Sequence, residues 1–222
     1  MTNDNSTTRL VMLYPLWLRV WHWSNALLFV LLVVSGISLH FAGPQMPLIP
    51  FRTARSIHNV SGLLMCAGYL FYVINNFRSN NIRHYIPVWQ GLVGRLVKQA
   101  TFYGVGIFKG EHHPIPPTEA QKFNPLQQLT YVAVMFVAIP VLIITGVLLL
   151  VPEYAPEQFL GMGGLWPIAV LHYLIGIGLT AFLISHVYLI TTGETLTHDL
   201  KKMIHGMEKI AVKKEDNHEN PA

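Results

Sequence analysis

Histidine is the residue type of this 222-residue chain that points most directly to chemistry, with 11 copies. His22, His58, His172 and His186 lie inside long apolar stretches, and His40 lies at the end of one. An ionisable side chain is costly in hydrocarbon and is a functional candidate by default. Because neutral imidazole binds haem iron, zinc and copper, these histidines predict a haem or metal site within a membrane.

The spacing of His172 and His186 predicts two sites at different depths. The two residues are 14 positions apart, which on one helix returns to within about 40° of the same face and separates them by about 21 Å. A haem with two axial ligands needs one on each side of its plane. Each of these histidines therefore needs a partner at its own depth on another helix.

Four apolar stretches are long enough to supply those helices, since about 20 helical residues cross the hydrocarbon of a bilayer. They cover residues 16–40, 54–77, 126–151 and 165–192. Only 12% of the residues are charged, against roughly 25% in soluble domains. The composition argues against a soluble enzyme and predicts an all-α membrane protein with a four-transmembrane-helix bundle.

The distribution of Lys and Arg predicts the orientation. Of the 15 basic residues, 13 lie in the N-terminal segment, the second connection and the tail, and two lie in the other connections. The positive-inside rule then places both termini in the cytoplasm. The first apolar stretch is longer than a usual signal-peptide core, so we expect it to be a retained helix.

These directions pair the histidines by depth. His22 on the first helix matches His186 near the inner side, and His58 on the second helix matches His172 near the outer side. His40 is an alternative outer ligand, since it lies 18 residues after His22 on the same face. We favour His58 because it lies deeper in its helix.

Paired imidazoles favour haem b in an electron-transfer role, because two ligands leave no open coordination position. The single cysteine, Cys66, excludes covalent c-type attachment and a four-cysteine cluster. Cys66 is the one thiol in the spans, and no carboxylate lies there, so the ligands that would complete a zinc or copper site are missing. A His-lined metal or proton transporter is the alternative of another class, but the span centres are almost wholly apolar.

Glycines near the histidines give weaker support. Gly62 follows His58 by four residues and Gly176 follows His172 by four, so each lies on its histidine's face, where a flat macrocycle could approach the backbone. Packing between membrane helices explains them equally well.

The long second connection predicts an interfacial amphipathic helix and loop over about residues 86–123 on the cytoplasmic side. We divide the chain into a cytoplasmic segment 1–15, a membrane domain 16–192 and a cytoplasmic tail 193–222, and expect disorder beyond about residue 208. Asn124 followed by Pro125 is typical of a helix N-cap with Pro in the first turn.

Four stretches resemble the bacterial dihaem cytochrome b subunits. That superfamily includes the cytochrome b subunits of Ni–Fe hydrogenase and thiosulfate reductase, the gamma subunit of formate dehydrogenase and bacterial cytochrome b561. The resemblance covers roughly residues 16–192. The stretches are RVWHWSNALLFVLLVVSG at 19–36, RSIHNVSG at 55–62, KFNPLQQLTY at 122–131 and HYLIGIGLTAFLISHVY at 172–188.

The resemblance implies the same pairing, His22 with His186 and His58 with His172, as axial ligands of two haems b. It also implies a site for menaquinone or ubiquinone beside the inner haem, lined by Asn124, although Leu126 stands where the family has a glycine. The implied function is a multi-pass subunit of the bacterial inner membrane, linking the quinone pool to a periplasmic iron–sulfur or multihaem subunit and a catalytic subunit. A stand-alone cytochrome b561-like oxidoreductase is the alternative, and no nucleic acid is implied as a partner.

Overall fold

Four long helices form the body of the protein, as predicted. The computed structural model describes residues 7–41, 48–159, 161–193 and 195–212. The helices long and apolar enough to span a membrane are α1 (Leu16–His40), α2 (Phe51–Arg78), α4 (Pro125–Leu150) and α5 (Leu165–Leu189). We call the end of the bundle that carries both termini the inner end, and the opposite end the outer end.

The surface of the bundle is apolar, which is the reverse of a soluble protein. Leu27, Leu63 and Ile184 are each more than half exposed, and such side chains are stable only against lipid. Small polar residues are buried between the helices instead, among them Ser35, Ser61 and Thr145. Small side chains at the helix contacts and large apolar ones outside are typical of membrane bundles.

Helix α4 has a π-helical segment in its middle, Ala133–Ala138, which the hydropathy pattern does not predict. Pro140 lies two residues after the segment and has no N–H to donate to the preceding turn. The Tyr69 hydroxyl of α2 donates to the Met135 carbonyl at 3.0 Å. This bond supplies a carbonyl of the distorted turn with a partner from the neighbouring helix.

The second connection contains the predicted amphipathic helix. After a 3-10 turn at Asn81–Tyr85, α3 covers Leu92–Thr101 and continues as irregular helix to Lys109. One further helix, α6 (His198–His205), follows the fourth span. The outer connection contains a short hairpin of β2 (Gln158–Phe159) and β3 (Met162–Gly163).

The two ends of the chain pair with each other at the inner end of the bundle. Strand β1 (Thr7–Met12) is antiparallel to β4 (Met207–Val212), with Leu10 opposite Lys209. The prediction of disorder beyond about residue 208 is therefore wrong for residues 208–212, and residues 213–222 lie outside the described ranges. A charged strand without apolar periodicity gives no local signal, because its partner lies about 200 residues away in the sequence.

Candidate functional site

The outer histidines come together between α2 and α5. The ring centroids of His58 and His172 are 6.3 Å apart, with an interplanar angle of 70°. His58 is seven residues after Phe51, where α2 begins, and His172 is seven residues after Leu165, where α5 begins. Both helices run from the outer end inward, so equal positions place the two rings at one depth.

The inner histidines come together between α1 and α5. The centroids of His22 and His186 are also 6.3 Å apart, at an interplanar angle of 58°. Phe182 stacks on His186 one turn earlier, with centroids 5.8 Å apart. One helix, α5, thus contributes one histidine to each pair.

These separations fit two imidazoles on opposite sides of one metal ion. A metal–imidazole bond is about 2.0–2.1 Å, and a ring nitrogen lies about 1.2 Å from its centroid, so collinear axial ligands hold their centroids about 6.4 Å apart. Both observed distances are 6.3 Å. The distance between the ring centroids is too long for direct stacking of the two imidazoles. It leaves room for a flat macrocycle and its metal ion between them.

His40 lies apart from both pairs. Its ring stacks on Tyr173 at a centroid distance of 4.1 Å and an angle of 11°, and it is exposed at the outer end of α1. Of the two alternatives for the outer partner of His172, the structure brings His58 to that position.

Two buried hydroxyls hold the outer histidines. Ser35 Oγ is 3.0 Å from His58 Nδ1, and Thr145 Oγ1 is 2.9 Å from His172 Nδ1. Each hydroxyl also donates one turn back along its own helix, Ser35 to the Leu31 carbonyl at 2.6 Å and Thr145 to the Val141 carbonyl at 2.8 Å.

This arrangement assigns the tautomer of both outer rings. A hydroxyl can donate only one hydrogen bond, and in each case it donates that bond to the helix carbonyl. The hydroxyl oxygen therefore accepts from the Nδ1–H group of the histidine, and the lone pair is left on Nε2. Nε2 of each ring is then the atom free to bind a metal.

A glycine follows each hydroxyl and contacts the same ring. A Cβ added at Gly36 would lie 3.3 Å from His58 Cε1, and one at Gly146 would lie 3.1 Å from His172 Cε1. Both distances are tighter than ordinary packing, so glycine lets the ring lie against the neighbouring helix. At Gly62 and Gly176, which the sequence singled out, an added Cβ would meet no atom within 4 Å apart from the local backbone of its own helix, among the residues that the structure describes. Their faces leave room for a macrocycle.

The hydroxyl–glycine pairs are a part of the site that sequence reasoning missed. Ser35 is five residues before His40, where α1 ends, and Thr145 is five residues before Leu150, where α4 ends. The available signal was this recurrence of a hydroxyl followed by glycine, at one depth on the two helices that run outward. The hairpins α1–α2 and α4–α5 therefore present the outer histidines in the same way.

The inner pair has different surroundings. His22 Nδ1 is buried and has no hydrogen-bond partner within the described parts of the chain. Near it, the Trp23 indole donates to the Met203 carbonyl at 3.1 Å, and Arg19 Nη1 donates to the Ile204 carbonyl. These bonds hold α6 against the inner end of α1. The segment after the fourth span is thereby bonded to the residues on either side of His22 in the helix.

Asn124 is the N-cap of α4, as predicted. Its side chain accepts from the Gln127 backbone, and the Gln127 side chain accepts from the Asn124 N–H, which completes a capping box with Pro125 in the first turn. Asn124 Nδ2 also donates to the Tyr103 hydroxyl at 2.9 Å. Asn124 is buried, and one Nδ2 hydrogen remains available for a ligand.

A polar cluster adjoins Asn124. His113 Nε2 lies 3.3 Å from Gln99 Nε2, and its ring contacts Phe102 and Tyr103. Burial lowers the pKa of His113 and raises the pKa of Tyr103, against the Asn124 hydrogen bond, which lowers it. At neutral pH the two groups are therefore uncharged.

Comparison with known proteins places these features in a family context. A family model described as "Prokaryotic cytochrome b561" matches residues 13–206. The chain is also 40% identical to the "Putative cytochrome YdhU" of Escherichia coli (strain K12) over 199 residues, which cover 90% of this chain and 75% of that protein. All four paired histidines and Asn124 lie within the matched region.

Proposed function

This chain belongs to the prokaryotic cytochrome b561 family and is a multi-pass membrane cytochrome. From that premise, we propose that it carries electrons through two b-type haems, between a redox partner at the outer end and the quinone pool near the inner end. The observation that carries the proposal is the pair of matched gaps, each 6.3 Å between histidine centroids. Haem stoichiometry tests it, as set out at the end of the Discussion.

Four histidines would hold the two haems, His22 with His186 and His58 with His172. A bis-imidazole haem b supplies reversible one-electron chemistry without an open position for oxygen. Zinc is a poorer fit, because zinc sites use three or four protein ligands. Within the described ranges, no group of three or more His, Cys, Asp or Glu side chains could hold a metal ion.

The chain's own residues orient the ligands. Ser35 and Thr145 fix Nδ1 as the protonated nitrogen, and Gly36 and Gly146 let the rings lie against α1 and α4. An acceptor on Nδ1–H makes imidazole a stronger electron donor through Nε2, which favours the oxidised iron. A haem held by His58 and His172 would have two such acceptors, Ser35 and Thr145. His22 of the inner pair has none among the residues described.

The first prediction follows from this difference. Ser35→Ala and Thr145→Val remove one Nδ1 acceptor each, so each should raise the midpoint potential of the outer haem and leave the inner one unchanged. A potentiometric titration monitored at the haem α-band measures both components. Ser38→Ala and Thr180→Val are the matched controls, because Ser38 accepts from the Ile49 N–H and Thr180 donates to the Gly176 carbonyl. Equal shifts in variants and controls would contradict the assignment.

Quinone is proposed to bind at the inner end, beside Asn124. The support is the family resemblance at KFNPLQQ together with a buried amide donor that lies next to a phenol. A quinone carbonyl accepts hydrogen bonds, and its reduction takes up protons, so neutral donors of this kind suit the headgroup. Menaquinone and ubiquinone share these carbonyls.

The second prediction concerns Asn124→Asp, which keeps the capping oxygen but loses both Nδ2 hydrogens. We expect normal haem content and slower reduction of the haems by menadiol in stopped flow. Asn124→Ala is less informative, because loss of the cap costs about 1 kcal/mol of helix stability. Gln121→Glu makes the same amide-to-carboxylate change in the same segment as a control. An unchanged menadiol rate in Asn124→Asp would place the quinone elsewhere.

An outer partner is proposed from the charge of the outer connection. Residues 152–164 contain no Lys or Arg but contain Glu153 and Glu157, both exposed. Tyr154 and Trp166 are exposed beside them, at 76% and 66%. A redox subunit with a basic rim around an apolar contact would complement this surface. In the bacterial inner membrane, this partner would be a periplasmic iron–sulfur or multihaem protein of a complex with a catalytic subunit.

A further inference from the structure

A second polar site lies at the inner end, apart from the histidine pairs. A cavity of about 370 Å³ opens between the segment before α1, the 3-10 turn after α2 and the segment before α4. Its wall includes the cations Arg83 and Lys122, the imidazole of His84, and Asn81. None of the four paired histidines lines it.

The two cations in this wall form no ion pair with a carboxylate in the described ranges. The ion pairs found in the described ranges all involve Lys202 or His198. Lys122 Nζ instead donates to the neutral Asn81 Oδ1 at 2.7 Å. Glu119 also lines the cavity but forms no ion pair with either cation among the residues described. Burial, and then the charge of Arg83, lower the pKa of Lys122 to about 8.

His84 adds an unused polar group to the same wall. The residue is 3% exposed, and its Nδ1 has no hydrogen-bond partner within the described chain. Arg83 Nε donates to Nε2 of the same ring at 3.5 Å, which leaves the ring proton on Nδ1. Burial, and then the charges of Lys122 and Arg83, lower the pKa of His84 to about 4, against the Ala120 carbonyl, which raises it. Although the Ala120 carbonyl acts on this ring, no acceptor meets hydrogen-bond geometry at Nδ1. A buried N–H in that state costs free energy that a bound acceptor would recover.

We infer that this cavity binds a phosphate group. A phosphate would form the ion pairs that Arg83 and Lys122 do not form with Glu119, and it would supply an acceptor oxygen for His84 Nδ1–H. A quinone headgroup is neutral and would leave the charges unbalanced. The cavity lies just beyond the inner end of α2 and just before α4, at the level of lipid headgroups. Basic pockets between membrane helices on the cytoplasmic side bind anionic headgroups, and a free phosphate ion carries the same chemistry.

Binding of phosphatidylglycerol to the full-length cytochrome tests the inference. Native mass spectrometry and the unfolding temperature are measured for Arg83→Gln, Lys122→Gln and the double variant. Lys122→Gln retains a donor for Asn81. We expect the wild type to retain phosphatidylglycerol over phosphatidylcholine, and the double variant to bind phosphatidylglycerol at least about tenfold more weakly. Arg78→Gln with Lys109→Gln removes two exposed inner-end charges outside the cavity and should bind as the wild type does.

An experiment with inorganic phosphate distinguishes a lipid headgroup from a free phosphate ion as the source of the bound phosphate group. If phosphate alone raises the unfolding temperature, and the double variant abolishes this effect, a free anion is the ligand. If only phosphatidylglycerol acts, the headgroup is the ligand. Equal retention by the wild type and the cavity variants would overturn the inference. Should Lys122→Gln disturb folding, Arg83→Gln decides alone, because Arg83 is exposed and its side chain forms only the 3.5 Å hydrogen bond to His84 within the described ranges.

Discussion

Replacing His172 by alanine should leave one b-type haem on the chain instead of two. The substitution removes one of two imidazoles across a 6.3 Å gap, and no other histidine in the described ranges lies opposite His58. A single remaining ligand holds haem b weakly, so the outer haem should be lost on purification. The measured result is a pyridine haemochrome value about half that of the wild type. His58→Ala should give the same loss, which makes it an independent variant if His172→Ala folds poorly.

His40→Ala is the matched control for this experiment. His40 is an alternative outer ligand by sequence, but the structure stacks it on Tyr173. The variant should therefore keep both haems. Full haem content in His172→Ala would refute the outer pair, and loss of a haem in His40→Ala would return His40 to the position that we give to His58.

Replacing His186 by alanine should abolish reduction of the cytochrome by quinol, although one haem remains. The family resemblance implies a quinone site beside the inner pair, and the outer histidines lie about 21 Å from His186 along α5. We expect His186→Ala to show one haem that dithionite reduces and menadiol reduces only at the background rate. His172→Ala, which keeps the inner haem, should still be reduced by menadiol.

The contrast between these two variants separates loss of a haem from loss of quinone access. His205→Ala is a control, because His205 lies at the end of α6 beyond the fourth span. This substitution should leave both the haem content and the rate of reduction by menadiol unchanged. Rapid menadiol reduction of His186→Ala would place quinone access at the outer end. Failure of menadiol to reduce His172→Ala would contradict an inner quinone site next to His22 and His186.

The spans could be predicted from sequence because their signals are local. A long apolar run without charges predicts a membrane-spanning helix. The observed bounds of the four spans differ from the predicted ones by three residues or fewer. His172 and His186 lie on one helix, so their spacing alone predicts two histidine sites at different depths in the membrane. This prediction needs no knowledge of how the helices pack. The partners His22 and His58 then followed from helix direction.

The surroundings of the histidines could not be predicted in the same way. Whether Ser35 faces His58 depends on how α1 is rotated against α2, and apolar stripes that face lipid on most sides do not specify that rotation. The pairing of β1 with β4 depends on residues at opposite ends of the chain. The π-helical segment before Pro140 receives a hydrogen bond at the Met135 carbonyl from Tyr69, which lies on another helix.

Haem stoichiometry tests the central claim most directly. The purified chain should show a dithionite-reduced minus oxidised spectrum of b type, with two haems b per chain by pyridine haemochrome and no haem retained covalently after acid–acetone extraction. One haem per chain would contradict the two-site account and leave one histidine pair to another role. Absence of haem would contradict it entirely.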